Sequence, residues 1–295
     1  MTSKWCHALA VLLVAAGCAG SSARDDDVTV APTSTEQADG TLTATTVDAE
    51  PTNTGQSTQP APLRTPSASE PLRVTIIGDS VMFDAALGIQ HSLESTGVVV
   101  TQSRAIGAVG LSVEAWPQFI DEVLADTEPE LIVLMVGGWD LGVVEFEGPD
   151  VYRPLVSSAI DTMTAGDTRI VWLAMPPTPP AEGLEPHRMV LNSIYAEAAA
   201  QHPLVTFVDT NAALGDPDGM FARYLPGPDG SEVQARKVRD GRDDGHLCPG
   251  GAAILGELVF DSLGMLTALA PRGDWLEGEW TNDQRYDDPP GGCAG

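Results

Sequence analysis

Apolar residues in this chain fall into short blocks whose spacing alternates between two periods. Leu72, Val74, Ile76 and Ile77 form a β-branched run that breaks at Gly78-Asp79-Ser80, after which Met82, Phe83, Ala86 and Leu87 recur at helical spacing to about Ser95. The alternation then repeats down the chain. Strands are expected at 98–102, 131–136, 168–174 and 204–208, and helices at 113–125, at 151–164, from Glu185 onward and at 249–263. Pro186 suits the first turn of its helix, and the prolines of 175–180 can continue neither a helix nor an inner ladder. Residues 141–150 read as an irregular loop, and 209–242 as a long Gly-, Pro- and charge-rich excursion. No element is expected beyond Met265, although Trp275 and Trp280 imply that the tail packs on the domain. Strands and helices that alternate in short units predict an α/β fold, a parallel doubly wound sheet with helices on both faces.

The chain before Leu72 has a different character. Lys4 followed by an apolar run at 8–16, too short to span a bilayer, reads as an export signal. Val14-Ala15-Ala16-Gly17-Cys18 resembles the lipobox of bacterial lipoproteins, which implies lipidation of Cys18 and an extracytoplasmic, lipid-anchored or secreted protein. Residues 19–70 hold almost no large apolar side chain and read as a disordered tether. The remaining stretch, about 220 residues, suffices for one core: a domain at 71–264 and a tail at 265–295. Cys6 leaves with the signal and Cys18 is the anchor, so Cys248 and Cys293 are the expected disulfide in an oxidising compartment. With 15 Lys and Arg against 42 Asp and Glu, the formal charge is -27, which argues against nucleic acid and against electrostatic membrane footing. A monomer is expected.

Ser80 falls at the carboxyl end of a buried strand and in the first turn of a helix, where open α/β sheets carry their chemistry and backbone N–H groups favour developing negative charge. The plainer alternative is that Asp79 or Ser80 only caps the helix. A serine hydroxyl needs a base, and the base needs an orienting group. His7 is removed with the signal, and His91, His187 and His202 fall on or at the ends of helices. His246 stands in a Gly-rich loop before a helix, three residues after Asp243.

Four blocks in order carry a resemblance: Gly78-Asp79-Ser80, the glycines of 105–112, Gly137-Gly138-Trp139-Asp140, and Asp243-Asp244-Gly245-His246. Together they resemble the SGNH (GDSL-type) hydrolases. The resemblance implies a flavodoxin-like three-layer sandwich with strand order 2-1-3-4-5. It implies a triad of Ser80, His246 and Asp243, with Asp244 the near competitor, and oxyanion donors from the amides of Ser80 and Gly110, Gly107 being the alternative. Trp139 and Asp140 are the expected substrate-binding residues. Trp139 departs from the family, which usually has asparagine there as a third oxyanion donor; the indole would instead stack on a sugar, fill an acyl pocket or simply pack.

The implied reaction is removal of an acyl group, acetyl foremost, from a carbohydrate or small ester through an acyl-serine. Extracytoplasmic SGNH domains linked to sugar O-acylation share the Gly-Asp-Ser-Val and Gly-Trp-Asp elements, so acyl transfer is the alternative, with a non-catalytic binding module third. No Gly-x-Ser-x-Gly elbow, metal-binding cluster or phosphate loop is present, and no cofactor is implied.

Overall fold

The computed structural model describes residues 62–293. The export segment, Cys18 and most of the expected tether lie outside the described residues. Strands β1 (Leu72–Gly78), β2 (Val99–Ser103), β3 (Leu131–Met135), β4 (Arg169–Leu173) and β5 (Val205–Val208) form one parallel sheet in the order β2-β1-β3-β4-β5. Every residue of β3 and β4 is buried, as the continuous apolar runs require of strands covered on both faces, whereas β2 alternates as an edge strand does.

The helices are α1 (Ser80–Glu94), α2 (Trp116–Thr127), α3 (Leu141–Phe146), α4 (Pro149–Thr164), α5 (Glu185–Gln201), α6 (Asn211–Leu214) and α7 (Pro249–Gly264). α1 packs with α7, while α2, α4 and α5 pack together. The α1–α7 crossing is backbone against backbone. A Cβ on Gly88 would come within 2.2 Å of the Ala252 carbonyl oxygen, and one on Gly256 within 2.6 Å of the Gly88 carbonyl oxygen, so neither position accepts a side chain. This contact fixes the helix that begins with Ser80 against the helix that follows His246.

Two expectations change in the structure. Residues 141–146 wind into α3 rather than a loop, because Leu141 and Val144 lie three apart and both reach the core. The tether ends before residue 70. Leu63 packs on the core, Arg64 pairs with Glu130 at 2.7 Å, and the Thr267 hydroxyl donates to the Arg64 carbonyl, so polar anchors join a single apolar residue in docking this segment. The excursion expected after β5 contains α6 and two hairpins, β6 (Tyr224–Pro226) with β7 (Glu232–Gln234) and β8 (Arg236–Arg239) with β9 (Arg242–Leu247). The tail packs as Trp275 and Trp280 imply: with Tyr286 they cluster against Ala252 and Ala253 of α7, and Cys293 is bonded to Cys248.

Candidate active site

β1 stops at Gly78, where any Cβ would lie 2.1 Å from the Met135 carbonyl oxygen and 2.4 Å from the Met82 Cβ. The chain therefore turns tightly into α1. Asp79 is the N-cap, its Oδ1 accepting from the Val81 amide at 3.0 Å, so the plain capping reading holds for Asp79. Its other oxygen accepts from the amides of Gly137 and Gly138, which ties the serine turn to the loop after β3. Burial pushes the Asp79 carboxyl up, against the pull of these amides.

Ser80, first residue of α1, donates towards or accepts from His246: Oγ and Nε2 are 2.9 Å apart. His246 Nδ1 lies 2.6 Å from Asp244 Oδ1, and the His246 amide donates to the same oxygen at 2.9 Å. The structure thus places Asp244, not Asp243, behind the imidazole. The reason is the backbone: residues 242–247 form β9 rather than a Gly-rich loop, so alternate side chains face opposite ways. Asp244 and His246 share a face, while Asp243 turns to Arg223, whose Nε donates to it at 2.6 Å.

Charge settles on the pair accordingly. Burial alone would raise Asp244, but bonds from the His246 ring and amide and from Arg239 hold its carboxyl well below the usual range. The bond to Asp244 raises His246 above its ordinary value against the opposing effect of burial. The hairpin is held by Asp84 of α1 and braced by its own buried Arg236. The Leu247 amide donates to Asp84, one helical turn after Ser80, at 3.1 Å, and Asp84 also pairs with Lys237. Arg236, fully buried, donates to the carbonyl of Gly245, between the acid and the base, at 2.8 Å. These anchors were not among the sequence candidates. Asp84 alone carried a signal, a carboxylate at i+4 from Ser80 among apolar neighbours.

Asp140, expected to bind substrate, is fully buried and absent from the cavity wall. Its carboxylate accepts from the Leu111 and Ser112 amides, the Ser112 hydroxyl and the Tyr152 hydroxyl, so it braces the loop after β2 against the loop after β3. Gly110 sits directly on it, where a Cβ would meet Asp140 Oδ1 at 2.7 Å. Gly110 is buried, and its amide has no acceptor among the described residues; Gly107 is exposed. Trp139 is 58% exposed and borders a cavity with Ser80 and His246, which excludes a purely core role.

A family model described as "Protein of unknown function (DUF459)" matches residues 73–262. The chain belongs to the DUF459 family. The matched span of this DUF459 chain runs from β1 into α7 and takes in all the residues just described. No curated protein matches the chain. Among solved structures it is similar to the lipase/acylhydrolase from Enterococcus faecalis, at 14% identity and TM-score 0.51, over 69% of this chain and 100% of that one. It is also similar to a mutant acetyl-xylooligosaccharide esterase from Geobacillus Stearmophilus (13% identity, TM-score 0.49, covering 70% and 97%). A third is the periplasmic domain of the lipopolysaccharide acetyltransferase of Salmonella ser. Paratyphi A (15%, 0.47, covering 65% and 84%). The first likeness, with the strand order, shows that the fold is the SGNH hydrolase fold.

Proposed function

We propose that this DUF459 chain is an exported serine esterase that removes an acyl group from a carbohydrate or small ester. The observation that carries the reading is the continuous bond from Ser80 Oγ through both nitrogens of His246 to Asp244. His246 takes the Ser80 proton as Oγ attacks the ester carbonyl, and Asp244 keeps Nε2 free to accept it and stabilises the imidazolium. The carbonyl oxygen gathers charge near the amide of Ser80 at the start of α1. By the pattern of the SGNH hydrolases the second donor is the amide of Gly110, which has no backbone acceptor among the described residues. Collapse breaks the C–O bond to the alcohol, which leaves with the His246 proton. Water then gives a proton to His246 and its oxygen to the acyl carbon, releasing the acid and restoring Ser80. Net, one water is added across one ester.

In this reading the segment through Cys18 exports the chain and anchors it by lipid, and no cofactor takes part. Turnover of an aryl acetate, compared with Ser80→Ala and His246→Ala, tests it: activity surviving both changes rejects the triad. Addition of sugars to the same assay separates hydrolysis from transfer, because acylated sugar in place of free acid would assign the second step to a hydroxyl acceptor.

A further inference from the structure

Two cavities meet at His246. One, of 280 Å³, has Ser80 at its floor and Trp139, Leu141, Met175, Pro177 and Leu184 among its walls. The other, of 640 Å³, is bordered by Arg239, Asp240, Arg242 and Asp243. Glu182, Asp244 and His246 belong to both. The first is an apolar chamber and the second a polar basin.

The division matches the two halves of an ester. The leaving alcohol collects its proton from His246 Nε2, the nitrogen that faces Ser80, so its oxygen sits in the chamber and an alcohol of several hydroxyls extends from there past Glu182 and His246 into the basin. The acyl half is left with the chamber. A dry cavity of about 150 Å³ holds a benzene ring, so a chamber of 280 Å³ has room for a chain several carbons longer than acetyl. Its outer wall is also rigid. The Met175 amide donates to Asn192, and the Met175 carbonyl accepts from Asn192 and from the buried Arg188. Glu185 holds Thr178 by its amide and hydroxyl. A wall pinned in this way measures a chain rather than yielding to it.

The basin offers no single sign of charge. Arg239 is spent on Asp244 and Asp243 on Arg223, while Arg242 has no side-chain partner among the described residues. Glu182, its carboxyl pushed up by burial and by the charge of Asp244, adds an acceptor at the junction. Asp240 and Glu182 are left against Arg242, a mixed and slightly acidic set that disfavours an anionic ligand and suits a neutral one rich in hydroxyls, which is donor and acceptor at each group.

We propose that the chain's substrates join a medium-length apolar acyl group, of about four to eight carbons on the cavity comparison above, to a neutral polyhydroxy alcohol of the sugar class. This rests on the serine-esterase reading. The acyl chain lies against Trp139 and Leu184, and the alcohol lies against Arg242.

A series of p-nitrophenyl esters from acetyl to dodecanoyl, given to the full exported chain, tests the acyl half. kcat/KM is expected to climb about fourfold per methylene from acetyl and to fall once the chamber is full, with Leu184→Trp moving the optimum to shorter chains. Ser80-dependent hydrolysis that favours acetyl would overturn the proposal and leave the esterase reading intact. Binding separates the two in the other direction. Calorimetric titration of Ser80→Ala with acetate, hexanoate and octanoate should show affinity rising with length even if no ester turns over, and equal affinities would reject the chamber. For the alcohol half, octanoyl-glucose should exceed methyl octanoate by about tenfold in kcat/KM, with Arg242→Ala removing most of the difference. Equal rates on the two esters in wild type would overturn that half.

Discussion

Asp84 and Lys237 form an ion pair at 3.0 Å with each side chain only 3% exposed, and the same Asp84 holds the amide of the residue after His246. One carboxylate therefore joins α1, which carries Ser80, to the hairpin that carries the base. Lys237 extends the link to the tail by donating to the Arg285 carbonyl at 2.7 Å. Removing one partner from such a pair leaves a buried charge unmatched, so Asp84→Asn or Lys237→Met should each cost about 3–5 kcal/mol. The double change to Leu and Met should recover most of that stability but not the hold on Leu247. Chemical denaturation combined with kcat measures both effects, and a double variant as unstable as the singles would sink the idea that the unmatched charge is the cost.

Asp244 and Asp243 are neighbours with opposite expectations. Asp244→Asn leaves His246 facing an amide and should lower kcat by about four orders of magnitude, as loss of the orienting carboxylate does elsewhere. Asp243→Asn breaks only a half-exposed pair with Arg223 and should cost under about 1 kcal/mol in stability, with kcat close to wild type. Steady-state kinetics of the two variants decide between them, and the reverse order of effects would return the role to Asp243.

The raised His246 gives the pH dependence a definite sign. The base works when neutral, so kcat/KM should rise with pH through a midpoint above 6.5. In Asp244→Asn, which lacks the largest cause of the shift, the midpoint should fall. Stability runs the other way. His246, raised on folding, contributes fully below its unfolded value of 6.5 and loses that contribution as pH rises through the folded one. Asp244, lowered on folding, contributes above its unfolded 3.8 and loses this as pH falls towards its folded value. The difference in Tm between wild type and His246→Gln should thus be greatest between those two values, and a difference independent of pH would contradict the bond's role.

Much of this arrangement was legible in the sequence, and what was not has a physical pattern. The apolar runs of β1, β3 and β4 and the Gly78-Asp79-Ser80 break fixed the sheet and the place of the serine, because burial on both faces and the tight entry into a helix leave direct traces in residue type. The sequence points to Asp243, one position from the acid, because a hairpin strand and a Gly-rich loop look alike in a polar segment such as 236–247, where no apolar alternation marks the faces. Asp140 has the position of a ligand in the sequence, since it ends a motif at the sheet edge. Its three bonds from Leu111 and Ser112 in the loop after β2 depend on a chain segment nearly thirty residues away. Arg236 is the strongest case: a fully buried guanidinium held by the carbonyls of Gly245 and Leu214 has the composition of a surface residue.

Trp139, exposed at the cavity mouth, can be changed without opening the core. Trp139→Asn should leave the free energy of unfolding within about 0.5 kcal/mol of wild type, as surface changes do. The effect belongs in kinetics: better turnover of acetyl esters where the new amide reaches the oxyanion, and weaker binding of long-chain esters that lose the indole. A large fall in Tm would show that the indole is needed for packing despite its exposure.

The most direct measurement of Ser80 as an activated nucleophile is the intact mass of the protein after treatment with an alkyl fluorophosphonate, followed by peptide mapping. The expected result is one adduct, on Ser80, formed quickly in wild type, slowly in His246→Ala and not at all in Ser80→Ala. No adduct in folded wild-type protein, or an adduct on another residue that persists in Ser80→Ala, would contradict it.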